Sequence, residues 1–202
     1  MNLFTIVFAG CGKFPPSDIG YVAVVQNIFG LEGSFRIAFN DAELINQMPL
    51  HAIRLYIDNH SSLKEVTYYP NQPFSDAIGQ IVSQHPGPIY VVARNVLCLP
   101  GDQSDNIPPL LESIGLQRQI KGALFVDSYT PEEVHKPVVV ASLEKLREQM
   151  QEIQLKPEVL QSYEAIRKED PFGAPKVLPH PNIPNTPYQG CIYVSAFTRR
   201  TR

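Results

Sequence analysis

Short apolar runs rich in β-branched residues alternate along the chain with segments of helical period, which predicts an α/β or α+β fold: one layered domain whose mixed sheet is flanked by helices. The strand pattern falls on residues 3–9, 35–39, 52–57, 65–69, 89–93, 123–126 and 138–141. Asn40 followed by Glu43 has the spacing of a capping box and predicts a helix that stops before Pro49. Pro73 opens a second helix carrying Phe74, Ile78, Ile81 and Val82 on one face, ended by His85-Pro86-Gly87-Pro88. Residues 21–29 are apolar enough for a buried helix or a buried strand, and periodicity leaves both open.

From Ser142 the pattern becomes helical again, with Ser142 as N-cap and Leu143, Leu146, Met150 and Ile153 at three- and four-residue spacing. The stripe packs on the sheet or on a partner. A further short helix is predicted over residues 158–168. Pro171, Pro175, Pro179, Pro181, Pro184 and Pro187 then impose an extended surface segment, punctuated by Val177, Leu178, Ile183 and Tyr188. Residues 191–197 alternate like a returning strand, so the tail either wraps its own domain and adds an edge strand or docks on a partner. The expected organisation is a globular domain over residues 1–155 and a helix, Pro-rich tail and edge strand over 156–202.

With 202 residues, 44% of them hydrophobic, the chain can bury one substantial core. A net charge of −3 argues against a protein whose main task is to hold a phosphate backbone, although a local basic patch is compatible with it. Cys11, Cys98 and Cys191 are odd in number and far apart, which fits a reducing compartment, and the cytoplasm is the expected location. Phe8-Ala9-Gly10-Cys11 resembles a lipoprotein cleavage box, but no Lys or Arg precedes the apolar run, and a buried first strand fits better.

Three sets of residues carry candidate chemistry. Gly10-Cys11-Gly12-Lys13 follows the first strand, where α/β proteins bind ligands, and its glycines let a backbone approach a phosphate that Lys13 can neutralise. Walker A and dinucleotide spacings are both incomplete, because Val7 and Phe14 stand at required positions and a third glycine is missing. Cys11 is a candidate nucleophile there, with Lys13, Asp18 and His60 as candidate companions. The histidines His51, His60, His85, His135 and His180 form no paired metal motif; Asp58 with His60, and Glu132 and Glu133 with His135, are fragments of one at most. His85 and His180, flanked by prolines, read as loop residues. No cofactor motif is complete.

Gly101-Asp102-Gln103-Ser104-Asp105-Asn106-Ile107-Pro108, with Ile114-Gly115 after it, resembles a loop of the 5′-nuclease family, and the resemblance implies that Asp102 and Asp105 bind a divalent metal. It covers about 15 residues, and the first strand lacks the family's aspartate. Two-metal chemistry needs several convergent carboxylates, whereas a capped turn into a short helix over 109–114 accounts for the same residue types.

Taken together, the sequence predicts a non-catalytic interaction or adaptor protein that holds a protein partner through Leu143, Leu146, Met150, Ile153, Leu178, Ile183 and Tyr188. The alternatives are an enzyme acting on a small or phosphorylated ligand at Gly10, Gly12 and Lys13, and, more remotely, a nuclease-like protein using Asp102 and Asp105. If the 101–108 loop holds a divalent ion, millimolar Mg²⁺ or Mn²⁺ raises the melting temperature and Asp105→Ala abolishes the rise; an unchanged melting curve removes the metal reading.

Overall fold

The first strand, β1 (Leu3–Ala9), is apolar on both faces, as a strand covered on both sides by helices must be. Phe4, Ile6, Val7, Phe8 and Ala9 are all at most 2% exposed, so neither face meets water. We describe the protein from a computed structural model over residues 3–10, 21–42, 62–94, 96–97, 104–129, 137–155, 177–178 and 191–200.

Helix α1 (Tyr21–Phe29) resolves the ambiguous segment as a helix, burying Tyr21, Val22, Val24 and Val25. Strands β2 (Ser34–Asn40) and β3 (Leu63–Tyr69) follow outward from β1, each parallel to its neighbour. Helix α2 (Phe74–Gln84) starts after Pro73 as expected and buries Phe74, Ala77, Ile78 and Ile81. Strand β4 (Ile89–Arg94) returns to the other side of β1, again parallel. A 3₁₀ turn over Ser104–Asn106 leads into α3 (Ile107–Leu116) and then β5 (Ile120–Tyr129), parallel to β4. Helix α4 (Pro137–Gln149) and the short strands β6 (Met150–Ile153), β7 (Val177–Leu178) and β8 (Cys191–Arg199) complete the described chain.

The sheet order is β3-β2-β1-β4-β5-β8-β6, with β7 joined to β8. The α/β class is as expected, and the sheet is mixed because β8 runs antiparallel between β5 and β6. The returning strand therefore lies inside the sheet, where an edge position was expected. Phe125 of β5 and Phe197 of β8 meet edge to face at 5.8 Å, a geometry worth about 1 kcal/mol beyond area burial. One face carries Val7, Val91, Phe125 and the apolar sides of α2, α3 and α4; the other carries Phe8, Phe35, Phe39 and α1. On the α1 face, Gly122 is a required close approach: a Cβ there would lie 2.4 Å from Phe29 Cε1.

Two local expectations change. Residues 138–141, a β-branched run read as a strand, form the first turns of α4, because Val139, Ser142, Leu143 and Leu146 fall on one buried helical face. Ser142 accordingly sits inside the helix, its hydroxyl donating to the Val138 carbonyl at 2.7 Å, and does not cap its start. The helix from the 101–108 loop does form, but Asn106 makes no side-chain cap bond.

The end of β8 ties down the two helices beside it. Arg199 donates from Nε to Ile120 O at 3.1 Å, from Nη2 to Ile114 O at 3.0 Å and Gln117 O at 2.7 Å, and from Nη1 to Gly115 O. Ile114, Gly115 and Gln117 offer the carbonyls at the C-terminal end of α3, where a cation also meets the negative end of the helix dipole, and Ile120 O opens β5. Arg200 does the same for α4, donating to Arg147 O at 2.9 Å. Arg199→Ala is expected to cost about 2–3 kcal/mol, read as a lower urea midpoint, with Arg199→Lys recovering little because an ammonium cannot span four carbonyls. Removing residues 191–202 should abolish cooperative thermal unfolding by circular dichroism; a truncated chain that still melts cooperatively would show that β8 is dispensable.

Candidate functional site at the carboxyl edge of the sheet

Because β2 lies on one side of β1 and β4 on the other, the strand order reverses between β1 and β4, and the carboxyl ends of these strands form a topological switch point, where open α/β sheets bind ligands. Gly10 ends β1 there with φ +68°, a conformation that glycine adopts without strain. Its N–H donates to Asn40 O, the end of β2, at 2.9 Å. A Cβ at Gly10 would lie 2.6 Å from Val96 Cγ1, so the glycine also lets the segment after β4 approach. Val96 and Leu97 are buried beneath it.

Asn40 fixes the next strand. Its side chain is 1% exposed, and Nδ2 donates to Tyr69 O at 3.1 Å and to Gln72 O at 3.0 Å. Asn40 therefore joins the ends of β2 and β3, whereas the helix its spacing with Glu43 suggested lies outside the described residues. Asp41 follows at the carboxyl end of β2, half-buried, with its N–H donating to Tyr69 O at 3.3 Å and its carbonyl accepting from Gln72 N at 3.2 Å. Gly10, Asn40, Asp41 and Tyr69 are thus held in one hydrogen-bonded junction.

A second polar group lies where β3 meets α2. Tyr69 Oη donates to Gln84 Oε1 at 2.7 Å and lies 3.0 Å from His85 Nε2, which is also 3.0 Å from Thr67 Oγ1. His85 lies in the loop that ends α2, as expected, but at 1% exposed it is a buried polar residue. Burial lowers its pKa below the ordinary histidine value, with the Glu65 carboxylate opposing and the Arg36 guanidinium adding to the shift. Burial likewise raises the Tyr69 hydroxyl.

Of the candidate ligand residues, Gly10 is in the junction, whereas Cys11, Gly12, Lys13, Asp18 and His60 lie outside the described residues. The same holds for Asp102, Ile183 and Tyr188, the side chain of Leu178, the predicted strand at 52–57 and the predicted helices after Asp41 and at 158–168. Asp105 is exposed in the turn before α3, and among the described residues no three His, Cys, Asp or Glu side chains cluster as a metal site would need. Leu143, Leu146 and Met150 are buried in the α4-side core, and Ile153 is half-buried against the other core. No helix among the described residues is long and apolar enough to cross a membrane. Two surface clefts stand apart from the junction: one of about 430 Å³ beside Gln26, Gly30 and Glu32, and one of about 350 Å³ between α3 and α4.

Sequence reading missed Asn40, Asp41 and Tyr69 as a unit. The available signal was a polar Asn-Asp pair directly after an apolar strand in an alternating α/β pattern.

Asn40→Asp tests the junction, since a carboxylate would face two carbonyl oxygens in place of the amide donor. It should destabilise the fold by about 2–4 kcal/mol at pH 7, less where the new carboxyl is protonated. Urea unfolding at pH 7 and pH 4.5 checks both parts.

No family model matches the chain, and no curated protein does. Among solved structures, a mutant of DNMT2 from Spodoptera frugiperda is similar at 14% identity and TM-score 0.47, covering 99% of this chain and 50% of the DNMT2 chain. The chain thus spans about half the length of that relative.

Proposed function

We propose that this chain binds a small nucleoside-bearing ligand at the carboxyl ends of β1, β2 and β4. The observation that carries the reading is the junction in which Gly10, at positive φ, is bonded to the end of β2 immediately before Asp41. In doubly wound sheets a glycine turn after the first strand accommodates the anionic part of such ligands, and a carboxylate near the end of the second accepts from ribose hydroxyls. On this reading Gly10, Gly12 and Lys13 take the phosphate or other anionic group, and Asp41 takes the sugar. Cys11 and His60 are the sequence's candidates for chemistry on that ligand.

The adaptor reading receives less support. Partner binding through Leu143, Leu146 and Met150 would compete with the chain's own core, where all three are buried. Leu178, Ile183 and Tyr188 support it from sequence alone.

The test is calorimetric titration of the full chain with ATP, NAD and S-adenosylmethionine, using tripolyphosphate as an anion without a nucleoside. At least one nucleoside probe should bind, and Asp41→Asn should weaken it about tenfold, or about 1.4 kcal/mol, with little change in melting temperature. Binding of tripolyphosphate alone would reduce the proposal to an anion site; no heat from any probe at millimolar concentration would refute it.

A further inference from the structure

The hydrogen bonds around His85 fix its protonation state. Tyr69 Oη donates to Gln84 Oε1, which only accepts, so toward His85 Nε2 the Tyr69 oxygen must act as acceptor. Thr67 Oγ1 donates to Ile37 O at 3.4 Å, which makes it an acceptor toward the same ring nitrogen. Both partners therefore require the proton on Nε2. Nδ1 is then a bare lone pair, buried and without a hydrogen-bond partner among the described residues. Such a ring is comfortable neutral, but a second proton would create a buried cation whose new N–H finds no acceptor among those residues.

The charged and titratable groups facing it divide. From β3, Glu65 favours the cation, but it is engaged by Arg36 Nε at 3.2 Å, and Tyr69 supplies only its hydroxyl. From β2, Arg36 opposes the cation, and from the end of α2 the neighbouring group is the neutral Gln84. Two bonds further on, Tyr69 O holds Asn40 Nδ2, and Asn40 O holds Gly10 N–H. An unbroken series of hydrogen bonds and backbone thus runs from the ring of His85 to the glycine turn.

We infer that His85 is a proton-operated latch: its neutral Nε2–H form clasps Thr67 and Tyr69 of β3 inside the fold, and because the protonated ring keeps that donor but adds a buried charge and a second N–H, protonation favours states in which the ring leaves its site, which loosens the Gly10–Asn40–Tyr69 junction. The latch is a property of the fold; its effect on binding rests on the reading in the preceding subsection. The sign follows from linkage. His85 has a lower pKa folded than unfolded, so the unfolded chain binds the extra proton more readily. Its contribution to stability is complete above about pH 6.5 and is lost as pH falls from there toward the folded pKa.

Two measurements on the full chain decide it. In long-range ¹⁵N–¹H spectra of histidine-labelled protein at pH 7.5, His85 should show a protonated Nε2 and an unprotonated Nδ1; the opposite tautomer overturns the inference. Melting temperatures from pH 8 to pH 5 should fall more steeply in the wild type than in His85→Gln, whose amide keeps a donor near the Nε2 position and does not titrate. Each tenfold suppression of protonation corresponds to a gap of about 3–5 °C in a chain of this size. Parallel curves overturn the latch. Where His85→Gln does not fold, the ring itself decides: titration at or above the ordinary histidine pKa, with Tyr69 and Thr67 resonances unmoved, also overturns it. Because neither measurement uses a ligand, failure of the nucleoside titration leaves the latch standing, and a failed latch leaves the binding reading intact.

Discussion

The structure depends on β8 lying antiparallel between β5 and β6. Without it, β5 would present an unpaired edge next to a buried core, and β6 would have no partner among the described strands. The strand is held by its ladder, by Phe197 against Phe125, and by two consecutive arginines that reach the C-terminal ends of different helices. A single segment late in the chain therefore satisfies a sheet edge and two sets of orphan carbonyls together. Arg199 and Arg200, at the end of β8 and just after it, are thus part of the fold's closure.

That closure assigns different work to the two ends of the sheet. Arg199 bonds at the start of β5, the amino end of the parallel strands, where α3 finishes. At the opposite end Asn40 and backbone bonds join the ends of β1, β2 and β3. The proposed binding site lies at this carboxyl edge, at the topological switch point between β1 and β4. His85 lies in between, tied to the same β3 residue that Asn40 holds.

The strands were legible because both faces of β1 and β4 are buried, so their residues form near-continuous apolar runs that stand out in any composition. Helix α2 was legible from its proline start and its apolar stripe. Residues 138–141 misled for a physical reason: three valines favour a strand locally, yet Val139 shares a buried helical face with Leu143 and Leu146, and packing outweighs propensity. The alternation of 191–197 gave the existence of β8 but not its neighbours, since pairing order follows from long-range contacts that no local period records. The burial of Asn40 and His85 was not legible. Each is a residue type common in caps and loops, and each finds hydrogen-bond partners here on strands distant in sequence.

The central claim is that the carboxyl edge, at the Gly10–Asp41 junction, receives the ligand. It is tested most directly by mapping backbone amide shifts in ¹⁵N–¹H spectra while a nucleoside probe is added. The account predicts that the largest changes fall on Gly10, Asp41, Val96 and their neighbours. Shifts centred instead on the cleft at Gln26 and Glu32, or on the groove between α3 and α4, would contradict it.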